Sequence, residues 1–348
     1  MSTAPLLAVR GLSIGMTPPN FPGPASVPPR LMDQEAPQQY GLAVKDVSFT
    51  VQRGETLCLV GESGCGKSIS ALAVMRLLPE GVARVLGGSI HFAGQDLLAL
   101  SPAEMLAIRG NAIGMVFQDP AASLNPVMRI GRQIAEGIRL HKRLSAQDAD
   151  NLAIEMLEKV RIPSPAQRAR EYPHQMSGGM RQRVMIAMAL ACAPDLLVAD
   201  EPTTALDVTV QKQILQLIHS LVSDSGSGLL LISHDLGVVA GMADRIAVMY
   251  AGSIVEMGPA EAVLQSPLHP YTVGLVKSRQ SLLAPAKSSG RQLEAIPGTV
   301  PGLWARPHGC AFHPRCSRAV ERCREHVPEA LPADTAAGLH SASCWLAG

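Results

Sequence analysis

Short continuous apolar runs recur along the chain, and three of them stop on residues that can do chemistry. "TLCLV" (Thr56–Val60) runs into a glycine-rich turn, "LLVADE" (Leu196–Glu201) ends on two acids, and "GLLLISHD" (Gly228–Asp235) ends on a histidine and an acid. The first run leads into a helical stretch, "KSISALAVMRLLP", closed by Pro79. Apolar strands separated by helical segments, with polar residues at their C-terminal ends, predict a parallel α/β sheet whose site lies along that edge.

Elsewhere the pattern changes. From Ala121 to about Pro173 short amphipathic helices take over, as in "AIEMLEKV", which reads as a helical insertion. "MTPPNFPGPASVPPR" (Met16–Arg30) is crowded with Pro and Gly. Proline cannot donate to a sheet ladder, so this stretch is expected to be an exposed insertion or loop. "AVMYAGSIVEMG" predicts a hairpin turning at Ala251 and Gly252, and the remainder, richer in Pro, is expected to be irregular. No internal repeat is present, so each motif occurs once.

Composition narrows the function classes. The 348 residues are 47% apolar and 17% charged, enough to bury a core. Lys and Arg number 30 against 29 for Asp and Glu, which leaves no basic field for a nucleic-acid backbone. The opening "MSTAPLLAVRGLSIGM" has no charged region followed by an apolar one, and so no secretory signal is expected. The longest apolar run, "VMIAMALACA" (Val184–Ala193), is well short of the roughly 18 residues that span a bilayer. The expectation is a soluble, cytosolic chain, with room left for a membrane partner. In a reducing cytosol its seven cysteines point to metal binding or plain packing rather than disulfides.

"GESGCGKS" (Gly61–Ser68) has the phosphate-loop spacing: two glycines, four residues between them, then Lys and a hydroxyl. The glycines let backbone N–H groups wrap phosphates, and the helix that follows directs its positive end at them. Lys67 would meet the outer phosphates and the Ser68 hydroxyl would bind Mg²⁺. At the end of "LLVADE", Asp200 would hold Mg²⁺ through its water shell and Glu201 would polarise the attacking water. Between these elements stands "QMSGGMRQRVMIAMAL" (Gln175–Leu190), whose Ser-Gly-Gly turn opens a helix that offers amides to an anion. One nucleotide already has its phosphates held by Gly61–Ser68. A second anion-binding helix end makes sense if it serves the nucleotide of another subunit.

With "MSGGMRQR" the chain resembles the ATP-binding cassette (ABC) ATPases, whose two subunits sandwich two ATPs head to tail. The other motifs of that family stand in order: "VFQDP" with Gln118, "TTALD" with Asp207 and "ISHD" with His234. The resemblance implies that Gln118 senses Mg²⁺ and touches the membrane partner, and that His234 grips the γ-phosphate. Catalysis would rest on Glu201, His234 and Gln118, while Ser177, Gly178, Gly179 and Asp207 complete the site across the dimer. ATP and Mg²⁺ would be held by Gly61, Glu62, Ser63, Gly64, Cys65, Gly66, Lys67, Ser68 and Ile69, together with Gln118, Asp200, Glu201 and His234. The family stacks adenine on an upstream aromatic. Here the candidate is Tyr40, which could equally be a surface residue.

The resemblance covers Val44 to the C-terminus and narrows further. "VFQDPAASLNPVMRIGRQI" and "SPLHPYTVGL" are similar to the ATP-binding subunits of oligopeptide and dipeptide importers. This implies an α/β P-loop NTPase core over 1–262, with a helical subdomain at about 119–180 and the Pro-rich insertion at 16–39. A small irregular extension follows over 263–348. It also implies a heterodimer with a sister ATP-binding subunit, on two transmembrane permease subunits fed by an extracytoplasmic solute-binding protein. The chain would then sit peripherally on the cytoplasmic face of the inner membrane. Nickel, glutathione or another solute could replace peptide as cargo, because nothing in an ATPase chain touches it. A soluble ABC ATPase of repair or translation would carry long coiled-coil insertions or a second cassette, and neither is present.

Cysteines carry the last signal. Cys65, beside the helix N-terminus, is expected to have a lowered thiol pKa without being catalytic. Cys310, Cys316 and Cys323 fall within fourteen residues, and Cys344 follows. Four thiolates suit an iron–sulfur cluster or a tetrahedral zinc, though no zinc-type CxxC pair occurs. The tail is similar to the C-terminal extension of the same importer ATPases, and that resemblance implies a [4Fe–4S] cluster. Zinc and unmetallated thiols remain open, as do His308, His313 and His326 as substitute ligands. Because this cluster lies far in sequence from every ATP motif, a staple for the Pro-rich tail is the modest expectation and redox regulation of transport the bolder one.

Overall fold

The computed structural model describes residues 4–18, 40–204, 206–283, 296–335 and 338–347. The Pro-rich insertion therefore falls almost wholly outside the described residues. In chain order the strands are β1 (Leu7–Met16), β2 (Gly41–Val51), β3 (Thr56–Val60), β4 (Ala83–Phe92), β5 (Gln95–Asp96) and β6 (Ile113–Val116). They continue with β7 (Leu196–Asp200), β8 (Gly228–Ser233), β9 (Arg245–Tyr250), β10 (Ser253–Pro259), β11 (Leu331–Thr335) and β12 (Gly338–Ala342). The chain forms two compact units, one of Met1–Leu6, Val51–Thr56 and Ala99–Ile232, the other of Leu7–Thr50, Leu57–Leu98 and Ser233–Gly348.

In the first unit β6, β7 and β8 run parallel, in the register Val116↔Ala199 and Asp200↔Ile232. The buried runs Ile113–Val116 and Leu196–Asp200 explain the absence of alternation in the sequence: both faces are covered. The short-helix region predicted after Ala121 is present, with helices at Ile130–His141, Ala146–Lys159 and Gly178–Leu190 packed on one another. Ile130, Ile134 and Ile138 are buried at the i, i+4 spacing that a helix needs to present one apolar stripe. Ser145 starts the second of these helices by accepting the Asp148 N–H.

In the second unit β9 lies between β3, parallel to it, and β10, antiparallel to it. The turn joining β9 to β10 falls at Ala251 and Gly252, as the sequence predicts, and both residues are left-handed (φ 43° and 83°). That geometry matches the twist of a two-residue hairpin. A separate four-stranded sheet has the order β2-β1-β4-β5, with β1 antiparallel to β4.

Two sequence expectations need correction here. The helix starting at Lys67 ends at Val74 rather than running to Pro79. Arg76 turns left-handed (φ 49°) and the Leu77 N–H returns to the Leu72 carbonyl, a closing turn that stops the helix before the proline acts. The tail is also not irregular throughout, because β12 pairs with β10 (Met257↔Ser341) and β11 pairs with β12. A wholly buried carboxylate fixes this addition. Glu256 accepts the Leu268 and His269 N–H groups (2.9 and 2.8 Å) and bonds His340 Nε2 at 2.8 Å. A Cβ at position 258 would strike the His340 ring, so Gly258 is what lets the strand approach.

His269 is buried and accepts the Tyr271 N–H on Nδ1 (3.1 Å), which requires an unprotonated nitrogen. Burial lowers its pKa from 6.5 to about 4. The folded state therefore binds this proton less readily than the unfolded chain. The stability it contributes is complete above pH 6.5 and is lost as pH falls toward 4. Urea unfolding at pH 7 and pH 4.5 should show wild type losing about 2 kcal/mol more than His269→Asn, whose amide oxygen can still accept that N–H. Equal losses in the two proteins would contradict a neutral, buried His269.

Candidate functional site

The phosphate loop is built on β3, whose five residues are all buried and which delivers the chain directly into Gly61. Gly61, Gly64 and Gly66 all have positive φ (155°, 78° and 105°). A Cβ on Gly61 would collide with the Met249 carbonyl, and one on Gly66 would lie 2.7 Å from the Ala43 carbonyl. Both positions thus require glycine for space as well as for conformation. Lys67 is almost fully buried and folds back over the loop, its Nζ donating to the Gly61 and Glu62 carbonyls at 2.8 and 3.0 Å. Ser63 and Gly64 are exposed, and Gly66 caps the helix without a side chain. The middle of the loop is therefore open to solvent, as access for an anion requires.

Cys65 corrects an expectation. It is fully buried, and its thiol pKa is raised rather than lowered. Desolvation outweighs the opposing pull of the Lys67 ammonium. This thiol is packing, and the helix N-terminus does not activate it.

In the first unit the ends of β6 and β7 bring two predicted residues together. Glu201 follows Asp200 with a left-handed backbone (φ 42°), and its N–H donates to the Ile232 carbonyl at 3.1 Å. Its carboxylate Oε2 accepts from Gln118 Nε2 (3.3 Å) and from Thr204 Oγ1 (3.0 Å). A non-glycine residue in this conformation is strained, and such strain collects where a side chain must be aimed. No motif or spacing marks Thr204 as a partner for Glu201.

The same unit gathers the residues expected to act across a dimer. Ser177 caps the helix Gly178–Leu190 by accepting the Met180 N–H, and Asp207 caps Val208–Ser225 by accepting the Val210 N–H. A Cβ on Gly179 would lie 3.2 Å from Val210, and one on Gly178 would lie 3.7 Å from Leu206, so the two helix starts sit side by side. In the second unit His234 is exposed just beyond β8, where Asp235 caps the following turn by accepting the Gly237 N–H. Tyr40 lies under the Arg84 guanidinium, 5.5 Å from ring centroid to Cζ.

The sequence reading missed Arg315 and Tyr271. Arg315 grips the Glu62 carboxylate with both ends of its fork, Nη1–Oε2 at 2.7 Å and Nη2–Oε1 at 3.1 Å. The Tyr271 hydroxyl accepts the Glu62 N–H at 2.9 Å. No spacing rule links positions this far apart in the chain. Cys310, Cys316, Cys323 and Cys344 line one small cavity with His269, Phe312 and Trp345. The Cys310 and Cys316 thiols are pushed up by burial first, then by the neighbouring sulfurs. Among the described residues, however, no group of three or more His, Cys, Asp or Glu side chains is arranged to hold a metal ion.

No helix among the described residues is long and apolar enough to cross a membrane. Residues 44–204 match the ABC transporter family model, and residues 255–323 match that of the oligopeptide/dipeptide transporter C-terminal region. A protein of Brucella melitensis named for peptide import and ATP binding is 54% identical over 294 residues, 82% of this chain and 87% of that protein. A Sinorhizobium fredii protein named as a peptide ABC transporter ATP-binding protein is 51% identical over 305 residues, 87% of this chain and 89% of its own length. Among solved structures, a dimeric bacterial ABC transporter cassette, MJ0796, superposes with a TM-score of 0.61 at 25% identity, over 73% of this chain and 98% of that one. The cbiO1 protein of Clostridium perfringens shares the fold, with a TM-score of 0.60 at 22% identity, covering 75% of this chain and 91% of its own. The chain belongs to the ABC transporter family and carries the C-terminal region of its oligopeptide/dipeptide transporters.

Proposed function

We propose that this chain hydrolyses ATP to power the import of oligopeptides or dipeptides through a membrane ABC transporter. The observation that carries the reading is the union, in one chain, of a phosphate-loop cassette with the peptide-transporter C-terminal region. The chain divides functionally into the cassette at 1–262, with its helical subdomain at about 119–180, and the extension at 263–348.

Each residue then has a task. Gly61–Ile69 wrap the phosphates with backbone N–H groups and the Lys67 ammonium. Ser68, Gln118 and Asp200 would hold Mg²⁺, which supplies charge neutralisation on the phosphates. Glu201 takes the proton of the attacking water, and Gln118 and Thr204 fix the direction of its carboxylate. His234 holds the γ-phosphate, and Tyr40 is the candidate for stacking adenine. Ser177, Gly178, Gly179 and Asp207 complete the site of a sister subunit, for which the dimeric cassette offers a precedent. Closing the two subunits excludes water, so positioning and charge stabilisation do most of the catalysis. The further partners are two transmembrane permeases and, through them, an extracytoplasmic solute-binding protein. The chain sits peripherally at the cytoplasmic face of the inner membrane.

The gathering of four thiols round one cavity supports Cys310, Cys316, Cys323 and Cys344 as the ligands of a [4Fe–4S] cluster. The all-sulfur donor set suits iron–sulfur chemistry, although among the described residues no three such side chains are arranged to hold a metal ion. Anaerobically purified chain should be brown, with a visible absorbance that dithionite bleaches and that Cys316→Ser removes. Colourless protein carrying stoichiometric zinc, or no metal at all, would overturn the cluster.

For the reaction itself, Glu201→Gln should slow ATP hydrolysis by the assembled transporter by roughly 10²–10⁴-fold while ATP still binds. Turnover near wild type would remove Glu201 from its role.

A further inference from the structure

The phosphate loop and the cysteine-lined pocket meet at one ion pair. Arg315 precedes Cys316, yet its guanidinium points away from the pocket and into the turn after β3. Its donors are fully employed there. Nη1 and Nη2 take the two oxygens of Glu62, Nε bonds the Pro297 carbonyl at 2.8 Å, and longer contacts reach the Tyr250 hydroxyl and the Ile296 carbonyl. The Arg315 side chain is 6% exposed and that of Glu62 28%, so the pair is largely shielded from water and salt. A bidentate fork in such a setting fixes direction as well as distance.

A second bond holds the same residue. The Tyr271 hydroxyl accepts the Glu62 N–H, so both the backbone and the side chain of Glu62 are fastened to the extension. The fastening is itself rigid. Tyr250 and Tyr271 lie 4.7 Å apart by ring centroid, and Phe312 packs on both at 5.1 and 5.5 Å. Phe312 stands between Cys310 and Arg315, in the turn where the Arg315 N–H bonds the Phe312 carbonyl. Glu62 is also one of the two residues whose carbonyls take Lys67 Nζ, so a shift at Glu62 would move the lysine expected to meet the phosphates.

From this geometry we infer that Arg315 is a positioning residue for nucleotide binding: through Glu62 the C-terminal extension holds the phosphate loop in its anion-cradling shape. The inference rests on Gly61–Ser68 being the phosphate site. It gives the extension a task in the ATP cycle that a staple for the tail would not have.

The test is a double-mutant cycle on the full-length chain, read by equilibrium ATP binding and, in the assembled transporter, by KM and kcat for ATP. Arg315→Ala and Glu62→Gln should each weaken ATP binding by about tenfold, the size of one lost charge-assisted contact. The double variant should be no weaker than either single one, and Arg315→Lys should recover part of the loss. In the Arg315 variants KM should rise while kcat at saturating ATP stays within about twofold, because a residue that only presets the loop acts on binding. Should Arg315→Ala fail to fold, Glu62→Gln and Arg315→Lys still report, since both preserve the packing around Phe312. ATP affinity unchanged in Glu62→Gln, or additive losses in the double variant, would overturn the inference. Lys67→Ala separates the two readings. If it binds ATP as wild type does, the phosphate-site assignment fails and this inference falls with it. If it loses ATP while the Arg315 and Glu62 variants do not, only the inference fails.

Discussion

Everything at the phosphate end of this protein follows from how tightly the backbone of Gly61–Ser68 is confined. At Gly61 and Gly66 carbonyl oxygens of neighbouring strands occupy the space a side chain would need, and the backbone there is open only to glycine. Three of the eight loop residues are glycines, and Lys67 is the side chain that bonds back onto the loop backbone. Lys67 spends two of its donors on the Gly61 and Glu62 carbonyls. Further rigidity comes from outside: Tyr271 and Arg315 hold Glu62, and the Gly252 N–H donates to the Cys65 carbonyl. A cradle that must pre-arrange its N–H groups for phosphates gains most from such bracing, because order imposed before binding is not an entropic cost during binding.

The same division between a strained carrier and its supports recurs at Glu201. Its left-handed backbone would relax if nothing held it, yet the N–H is tied to the end of β8 and the carboxylate is held by Gln118 and Thr204. Parallel strands ending in register place Gln118 and the Asp200–Glu201 pair along one edge. The architecture thus needs only local turns to aim the side chains.

Much of this was legible in the sequence, for identifiable reasons. Strands buried on both faces write short unbroken apolar runs, and β3, β7 and β8 lie where those runs stand. Phosphate loops need glycines at fixed offsets, so "GESGCGKS" is specific by itself, whereas Gln118, Asp207 and His234 became legible only through family resemblance. What stayed hidden depends on distant pairings. Arg315 and Glu62 are 253 residues apart, and the attachment of β12 to β10 turns on one buried carboxylate, Glu256, that no periodicity marks. Cys65 was misread because a nearby ammonium and a helix end argue for a lowered pKa. Only the structure shows that burial is the larger effect. The hairpin at Ala251 and Gly252 was readable because its turn chemistry is local.

We propose that ATP hydrolysis at these residues drives peptide across a membrane. It is tested most directly by reconstituting this chain with its permeases and sister ATP-binding subunit in liposomes. Peptide-loaded receptor is then added, and ATP consumption and peptide accumulation are followed together. Peptide should raise ATP consumption and should accumulate inside only while ATP is being hydrolysed. Peptide uptake without ATP consumption, or hydrolysis indifferent to peptide with no uptake, would contradict it.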